Sequence, residues 1–301
     1  MHSIVKIEVE RASAAHDRQS LISDGRNVLP RQYELVMDDP DIEEMEEGVS
    51  IEVFEPGRWL EREIKGDQMF LVLLATGAGF GLLVGVTVVM FFPLMAMGLI
   101  VINMSTYQVY IAPEAYMILT VAEVCFFIPP IIYIRMKHLP LRSLGVKSEN
   151  PARDILMGLA FGAAMLGSNL VITYFVVTAT GAGGGDSNPF PASSITDVVV
   201  WTVVMFAIVA FSEEMIFRGF LQRRMEIYFG AKHERKRLYA LLVTSFIFAA
   251  IHLDLLGLPT RFVLGLFLGF LAQRTKYSIL GPTIAHGLNN SVVVLLGFLG
   301  F

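Results

Sequence analysis

One apolar run in the second half of the chain reads Val198-Val-Val-Trp-Thr-Val-Val-Met-Phe-Ala-Ile-Val-Ala-Phe-Ser-Glu-Glu-Met-Ile-Phe-Arg218. The run has the length of a transmembrane helix, which needs about 20 apolar residues, yet it contains two adjacent acids, Glu213 and Glu214. A carboxylate facing lipid at a helix centre costs about 2.5–3.5 kcal/mol even on insertion-based scales. We therefore expect both acids to face a protein interior or a water-filled pocket, which makes them functional candidates.

The composition of the whole chain is that of a polytopic membrane protein. Of its 301 residues, 54% are hydrophobic and 17% are charged, whereas soluble domains carry about 25% charged residues. Mean hydropathy is +0.59. The predicted fold is an all-α, polytopic transmembrane helical bundle of about seven spans, six to eight, within residues 66–301. The predicted spans are Met69–Ile102, Ala112–Met136, Asp154–Thr178, Asp197–Tyr228, Leu238–Leu253, Arg261–Gln273 and Ile279–Phe301.

Three of these spans have unusual lengths. The first is too long for one membrane crossing and contains Pro93, so we expect it to tilt, kink or split. The fourth is also long, and we expect its end at 222–226 to emerge into water. The fifth and sixth are short, so they need not each cross the membrane fully.

The N-terminal segment, residues 1–65, has a different composition. It holds 8 Lys+Arg and 16 Asp+Glu, a net charge of −8, whereas residues 66–301 hold 15 and 12, a net of +3. Like charges repel, and few apolar groups offset chain entropy, so we predict a largely disordered acidic segment, with a partner-binding tail as the alternative. Its start contains no apolar h-region, so we expect no cleavable signal peptide.

The charges of the loops predict an orientation in the membrane. The loops after spans two, four and six are basic, whereas the connections 103–111 and 179–196 hold no Lys or Arg. Basic loops stay cytoplasmic. We therefore predict a cytoplasmic N-terminus, an external C-terminus and a flexible external loop at the glycine-rich stretch after Thr180, in the plasma membrane of a prokaryote.

The first group of residues that could carry chemistry is Glu213-Glu214-Met-Ile-Phe-Arg218. On a helix, Glu214 and Arg218 are i,i+4 neighbours and can neutralise each other. Glu213 points about 100° away from Glu214, so it stays available for proton transfer. The alternative is a buried ion pair that only fixes helix packing.

Two further groups lie downstream, Phe248-Ala-Ala-Ile-His252 in span five and His286-Gly-Leu-Asn-Asn290 in span seven. His286 and Asn290 share one helix face, so both can donate hydrogen bonds toward one point. Taken singly, His252 reads as a satisfied core histidine and the other pair as an interhelical polar contact. Together with the glutamates they are nearly all of the ionisable groups inside the spans, Glu123 and Glu114 being the main exceptions.

These motifs resemble those of the CPBP family, which comprises CAAX prenyl proteases and bacteriocin-processing or Abi-type immunity proteins. The family pattern is Glu-Glu-x-x-x-Arg, then Phe-x-x-x-His, then His-x-x-x-Asn or His-x-x-x-Asp, and order and spacing match over about residues 150–301. The resemblance implies an intramembrane endopeptidase in which Glu213, assisted by His252, activates a water molecule. His286 and Asn290 would stabilise the oxyanion, and Glu214 with Arg218 would support the site.

The resemblance leaves cofactor use and activity open. One Glu and two His could hold Zn²⁺ with water as fourth ligand, but the chain lacks a His-Glu-x-x-His helix, so we expect a metal-independent mechanism with zinc as the alternative. Cys125 is the only cysteine, so cysteine-based chemistry is not expected. Expected partners are membrane lipid and a peptide or lipidated protein substrate, not nucleic acid. The alternatives are a non-catalytic immunity or sensor protein and a proton or ion transporter, which the absence of internal repeats disfavours.

Overall fold

The computed structural model describes residues 68–181, 192–230 and 235–300. They all belong to the unit Glu55–Phe301, and the other unit, Met1–Phe54, lies outside them. The predictions for the acidic segment 1–65 also fall outside the described residues, as does most of the glycine-rich loop. Those predictions stay predictions.

Helices make up nearly all of the described chain, which also contains one short hairpin. In chain order the helices and strands are α1 (Gln68–Ala96), β1 (Ile100–Ile102), β2 (Val109–Ile111), α2 (Pro113–Val121), α3 (Ile128–Met136), α4 (Pro151–Thr180), α5 (Ile195–Val204), α6 (Phe211–Glu214), α7 (Arg223–Gly230), α8 (Lys236–Ala250), α9 (Leu258–Arg274) and α10 (Leu280–Leu299). Short 3₁₀ segments lie at Ala122–Phe127 and Leu141–Leu144, and π-helical segments at Met205–Ala210 and Met215–Gln222.

Several of these elements join into membrane-length helices. Within the described residues, five helical segments are long and apolar enough to cross a membrane, and they agree closely with five predicted spans. The predicted fifth and sixth spans fold as α8 and α9, which have 15 and 17 residues. The chain is therefore a helical membrane protein, as predicted, in which α8 and α9 are shorter than the five membrane-length segments. The five segments are Gln68–Ala96, Pro113–Met136, Pro151–Thr180, Ile195–Gly230 and Leu280–Leu299.

The first predicted span ends earlier than its apolar run. Pro93 lies near the end of α1, where its ring removes a backbone donor. The chain then turns at Gly98, whose φ is 72°, and β1 pairs with β2 in an antiparallel hairpin. Residues 100–102 thus form a strand rather than helix, which is the departure from an all-α fold within the described residues.

Close contact between α4 and α10 depends on glycines. Gly158 and Gly162 lie one turn apart on α4, and a Cβ at Gly158 would stand 2.7 Å from the carbonyl oxygen of Gly281. A Cβ at Gly162 would stand 3.1 Å from the Cα of Ala285. Small residues at this spacing let membrane helices approach closely without the hydrophobic effect. The contact fixes α10, which carries His286.

Apolar side chains cover the outside of the bundle and fill its centre. On α1, for example, Phe70 and Val89 are 66% and 67% exposed, as suits a surface in lipid. The main buried cluster includes Phe126, Phe217, Phe220 and Phe248. This cluster joins the second membrane segment, Pro113–Met136, to the fourth, Ile195–Gly230, and to α8. Polar side chains of the site pack against this cluster.

Candidate active site

The two glutamates lie in an irregular part of the segment Ile195–Gly230, hereafter the glutamate helix. Glu213 and Glu214 end the short element α6, with π-helical turns at Met205–Ala210 before it and Met215–Gln222 after it. Hydrogen bonds in a π turn run from residue i to i+5, and such turns inside α-helices occur frequently at functional sites. Both glutamates therefore lie in a short α-helical turn with a π-helical segment on either side.

Glu214 is the centre of a buried hydrogen-bonded group. Its Oε1 lies 3.1 Å from Arg218 Nη1 and 2.8 Å from His286 Nδ1. Glu214 is fully buried and Arg218 is 1% exposed. Arg218 also donates to the carbonyl oxygen of Gly265, at 3.4 Å. The predicted i,i+4 ion pair is present, and it connects the glutamate helix with α9 and α10.

Glu213 has a different environment from its neighbour. It is 8% exposed, and its Oε2 lies 3.8 Å from His286 Nε2, too far for a hydrogen bond. Within the described residues this oxygen has no hydrogen-bond partner. Arg218 is already paired with Glu214, so Glu213 is the acid whose carboxylate can act on another molecule.

Glu214 also fixes the ring of His286. An ionised carboxylate only accepts hydrogen bonds, so Nδ1 of His286 donates to Glu214 and Nε2 points toward Glu213. A carboxylate bound to one ring nitrogen sets the orientation of the imidazole and the role of the other nitrogen. His286 is 6% exposed. Its ring is thus held between the two acids in a fixed direction.

The ring of Phe248 joins the second motif to this group. It packs at 5.2 Å from the Phe217 ring, 6.0 Å from His286 and 5.1 Å from His252, measured between ring centroids. The guanidinium of Arg218 lies over the Phe248 ring, 4.5 Å from its centroid. This cation–π contact adds to the ion pair of a guanidinium that is buried in protein. Phe248 therefore supports Arg218 and separates the two histidines.

His252 lies farther out than the sequence predicts. Helix α8 ends at Ala250, so His252 sits in the following turn and is exposed. Its Nδ1 lies 2.7 Å from the carbonyl oxygen of Phe248. Because a carbonyl only accepts, Nδ1 carries the proton and Nε2 keeps the lone pair in the neutral ring. Among the described residues no hydrogen bond joins His252 to either glutamate.

Asn290 lies one turn after His286 on α10, as predicted, and is half-buried. Its Oδ1 accepts from Asn289 Nδ2 at 3.2 Å, and Asn289 Oδ1 accepts from Asn169 Nδ2 at 3.4 Å. This chain of amides orients Asn290 from α4. The motifs in the sequence identify Asn290 but not Asn289 or Asn169. A second amide directly before Asn290 is the sequence feature that indicates Asn289.

The sequence does not decide whether the site binds a metal ion. The described residues contain no group of three or more His, Cys, Asp or Glu side chains placed to hold a metal ion. The residues as arranged therefore do not fit a three-ligand zinc site.

Comparisons with known proteins give one match. No curated protein and no solved structure matches the chain. A family model described as "Type II CAAX prenyl endopeptidase Rce1-like" matches residues 195–292, about a third of the chain. All three motifs lie inside this region. The match agrees with the family resemblance that the motifs indicate, and it covers residues 195–292.

Proposed function

We propose that this protein is an intramembrane endopeptidase that hydrolyses a peptide bond near the membrane surface with a Glu213-activated water. The observation that carries the proposal is the asymmetry of the two acids. Glu214 is fully buried and its Oε1 is bonded to Arg218 and His286, whereas Glu213 is 8% exposed and makes no hydrogen bond among the described residues. Polar groups converging in a buried pocket are what general acid–base catalysis needs.

Glu213 is the general base in this proposal. Its carboxylate accepts a proton from water, and the water oxygen attacks the carbonyl carbon of the peptide bond. The carbonyl oxygen becomes an oxyanion. The proton then passes from Glu213 to the amide nitrogen as the C–N bond breaks, which releases a carboxylic acid and an amine. General acid–base steps of this kind contribute about 10²–10⁴-fold to rate.

Asn290 and His286 are the oxyanion donors; since Nδ1 of His286 donates to Glu214, His286 donates from Nε2 as an imidazolium between the two acids. They lie one turn apart on α10, and their orientations are supported by Glu214 and by the amide chain from Asn169. Donors held by other side chains need no reorganisation when charge develops, and one such donor is worth about 2.7–4 kcal/mol in known enzymes. His252, with its free Nε2 lone pair, assists Glu213 once substrate covers the turn after α8.

An apolar cavity beside the site supports a substrate with a hydrocarbon anchor. The cavity has a volume of about 170 Å³ and is lined by residues of α1, by Phe217, which follows Glu213 by four residues, and by Ile251, which precedes His252. A lipidated peptide could place its anchor there while its peptide bond reaches Glu213. The lining residues are Leu73, Thr76, Gly77, Phe80, Phe126, Phe217, Leu221, Ile247 and Ile251. The proposed partners are thus membrane lipid and a peptide or lipidated protein.

A cleavage assay tests the proposal directly. Purified protein in detergent micelles is mixed with a quenched farnesylated CAAX peptide or with its unprenylated twin. Glu213→Gln keeps the size of the side chain but removes the base, so we expect cleavage to fall by about 10²–10⁴-fold. Cleavage of the prenylated peptide alone would assign the substrate class as well.

A matched control is Glu149→Gln. Glu149 is exposed and pairs with Lys276 at 2.8 Å, away from the site, so this variant should cleave at the wild-type rate. If Glu213→Gln is folded and cleaves as fast as Glu149→Gln, Glu213 is not the base and the proposal is wrong.

One observation favours a second candidate, a non-catalytic immunity or sensor protein of the same family. His252 is exposed and has no hydrogen bond to the glutamates among the described residues. In that case neither peptide is cleaved and Glu213→Gln has no effect in cells. Deletion of residues 1–60, by contrast, should remove a binding partner from a pull-down.

A further inference from the structure

The turn between α8 and α9 contains an ion pair that the proposed reaction does not use. Asp254 follows His252 by two residues, and its Oδ2 lies 2.6 Å from Nη1 of Arg261, near the start of α9. Its other oxygen, Oδ1, accepts from the backbone N–H groups of Leu256 and Gly257, both at 3.1 Å. One carboxylate therefore connects the turn to α9. Asp254 and Arg261 are hereafter the turn ion pair.

A glycine makes room for the turn ion pair. A Cβ atom at Gly257 would overlap Nη1 of Arg261 and Oδ2 of Asp254, which are the two atoms that form the pair. A larger residue at this position fits only if the two charged groups move apart. The ion pair thus depends on Gly257 as well as on its own two side chains.

The turn ion pair holds a backbone conformation that a leucine rarely adopts. Leu253 has a φ of 52°, in the left-handed region that is unfavourable for a bulky side chain. Its side chain is 84% exposed, so its own packing does not offset this strain. Strained backbone persists only where the surrounding structure fixes it. Here the hydrogen bonds and the ion pair of the next residue, Asp254, do so, and they set the direction of the chain after His252.

His252 lies between the turn ion pair and the site. Its Nδ1 donates to the carbonyl oxygen of Phe248 at 2.7 Å, and its ring packs against the Phe248 ring. The same Phe248 ring contacts His286 on α10, with centroids 6.0 Å apart. Among the described residues no hydrogen bond reaches Nε2 of His252. The direction of Nε2 therefore depends on Phe248 before the turn and on Asp254 within it.

We propose that Asp254 and Arg261 are positioning residues, whose pairing holds His252 where it assists Glu213. This inference rests on the proposed function, in which Nε2 of His252 acts beside Glu213. The turn ion pair acts through His252 and not on the substrate itself. It keeps the turn in one conformation, so that His252 is already ordered when substrate covers it. Displacement of a catalytic group by about 1 Å can lower a rate by about 10²-fold.

Three variants separate the turn ion pair in different ways, and cleavage of the quenched peptide reports on each. Asp254→Asn removes one charge, Arg261→Gln removes the other, and Gly257→Ala keeps both charges but moves them apart. Each should lower kcat by up to about 10²-fold and leave KM unchanged. Arg261→Lys keeps an ion pair and should recover most of the rate. Glu149→Gln, in the exposed pair with Lys276, is the control and should keep the wild-type rate.

A double-variant cycle shows whether the turn ion pair acts through His252. His252→Ala removes the assisting group, so Asp254→Asn should cause no further loss of kcat in that background. A residue with only a structural role would cause the same loss with and without His252. A loss that persists in His252→Ala would therefore overturn the inference.

Nitrogen-15 NMR of the histidine side chains tests the positioning without substrate. At alkaline pH, where the ring is neutral, His252 should carry its proton on Nδ1, because Nδ1 donates to Phe248. Its signals are those that His252→Ala lacks. In Asp254→Asn and Gly257→Ala we expect a mixture of the two tautomers, whereas Glu149→Gln should keep the wild-type spectrum.

The NMR and cleavage measurements separate the possible failures. A wild-type tautomer in both Asp254→Asn and Gly257→Ala would overturn the inference. If Asp254→Asn does not fold, Gly257→Ala, which retains both charges, replaces it in the cycle and in the spectra. If the tautomers change as expected but wild-type protein cleaves neither peptide, the turn ion pair positions His252 and the proposed function is wrong.

Discussion

The glutamate helix carries two acidic groups that differ in how completely their carboxylate oxygens are paired. Near its end, Glu226 accepts from Arg237 on Oε1, and from Tyr277 and Gln273 on Oε2, at 2.5 Å for the tyrosine hydroxyl. In its middle, the Oε2 atoms of Glu213 and Glu214 have no partner among the described residues. The same helix therefore holds one acid, Glu226, whose two carboxylate oxygens both accept hydrogen bonds, hereafter the saturated group. It also holds a pair of acids, Glu213 and Glu214, whose Oε2 atoms have no partner among the described residues, hereafter the unsaturated group.

The difference separates structural acids from reactive ones. A buried network with all its members satisfied rigidifies the fold, whereas an unpaired buried polar group costs stability. Such a cost is tolerated where it serves chemistry. The Glu226 group ties the end of the glutamate helix to α8, α9 and the turn before α10. The Glu213 pair instead keeps hydrogen-bonding capacity for another molecule.

The largest effect is expected from Arg218→Met, which would break the unsaturated group. Removal of the guanidinium leaves Glu214 buried without its countercharge, and breaking a buried pair in this way costs about 3–5 kcal/mol. The free energy of unfolding in mixed micelles measures the loss. The double variant Glu214→Gln, Arg218→Met removes both charges and should be more stable than Arg218→Met alone. A loss below about 1 kcal/mol would show that Glu214 does not depend on Arg218.

A smaller effect is expected from Tyr277→Phe, which would remove one donor from the saturated group. Hydrogen bonds to charged groups contribute about 1.5–3 kcal/mol, so the free energy of unfolding should fall by that amount. Cleavage should stay at the wild-type rate because Tyr277 is outside the site. Tyr107→Phe, at a hydroxyl-bearing ring that is 80% exposed, is the control and should change neither quantity.

The pH dependence of stability should sharpen the same comparison. Burial, followed by the negative charge of Glu226, raises the pKa of Tyr277 well above its usual 10.0. The unfolded chain then loses this proton at a lower pH than the folded chain, so stability is fully present below pH 10.0 and falls as pH rises above it. In Tyr277→Phe this part of the alkaline loss should be absent. Equal alkaline slopes in the two proteins would contradict the assignment.

The smallest effect is expected from Arg237→Gln. Its side chain is 67% exposed although it pairs with Glu226 at 3.2 Å. Exposed ion pairs contribute about 0.2–1 kcal/mol, and Glu226 keeps its other two donors. The loss should shrink further at high salt, where screening weakens the pair. A loss as large as that of Arg218→Met would mean that the two remaining donors, Tyr277 and Gln273, do not compensate Glu226 for the loss of Arg237.

Local patterns in the sequence predicted much of the fold and part of the site. Hydropathy located the five membrane-length segments, since a long apolar run has few alternatives to a spanning helix. The i,i+4 spacing predicted the Glu214–Arg218 pair, which the structure contains, and the shared face of His286 and Asn290. These features depend on helical periodicity alone, so one sequence is enough to predict them.

Features that depend on contacts between distant segments were not predictable. The sequence places His252 inside a span, but α8 ends at Ala250. The sequence also places 222–226 in water, whereas Gln222, Arg224 and Glu226 are buried in protein, at 0%, 0% and 9% exposure. Tyr277 and Gln273 satisfy Glu226 from 51 and 47 residues away, and no periodicity carries that information.

The π segment before the glutamates also fixes the phase of the helix. A π turn holds about one residue more than an α turn, and one residue corresponds to a rotation of roughly 100°. Deletion of one residue from Met205–Ala210 would close the segment as regular α-helix and keep the direction of both acids, whereas the same six residues wound as α-helix would turn Glu213 and Glu214 away from α10 by roughly 100°. The chain would keep its composition and its hydropathy, yet its two acids would point elsewhere. One extra residue in the helix thus determines the direction in which the two acids of the site point.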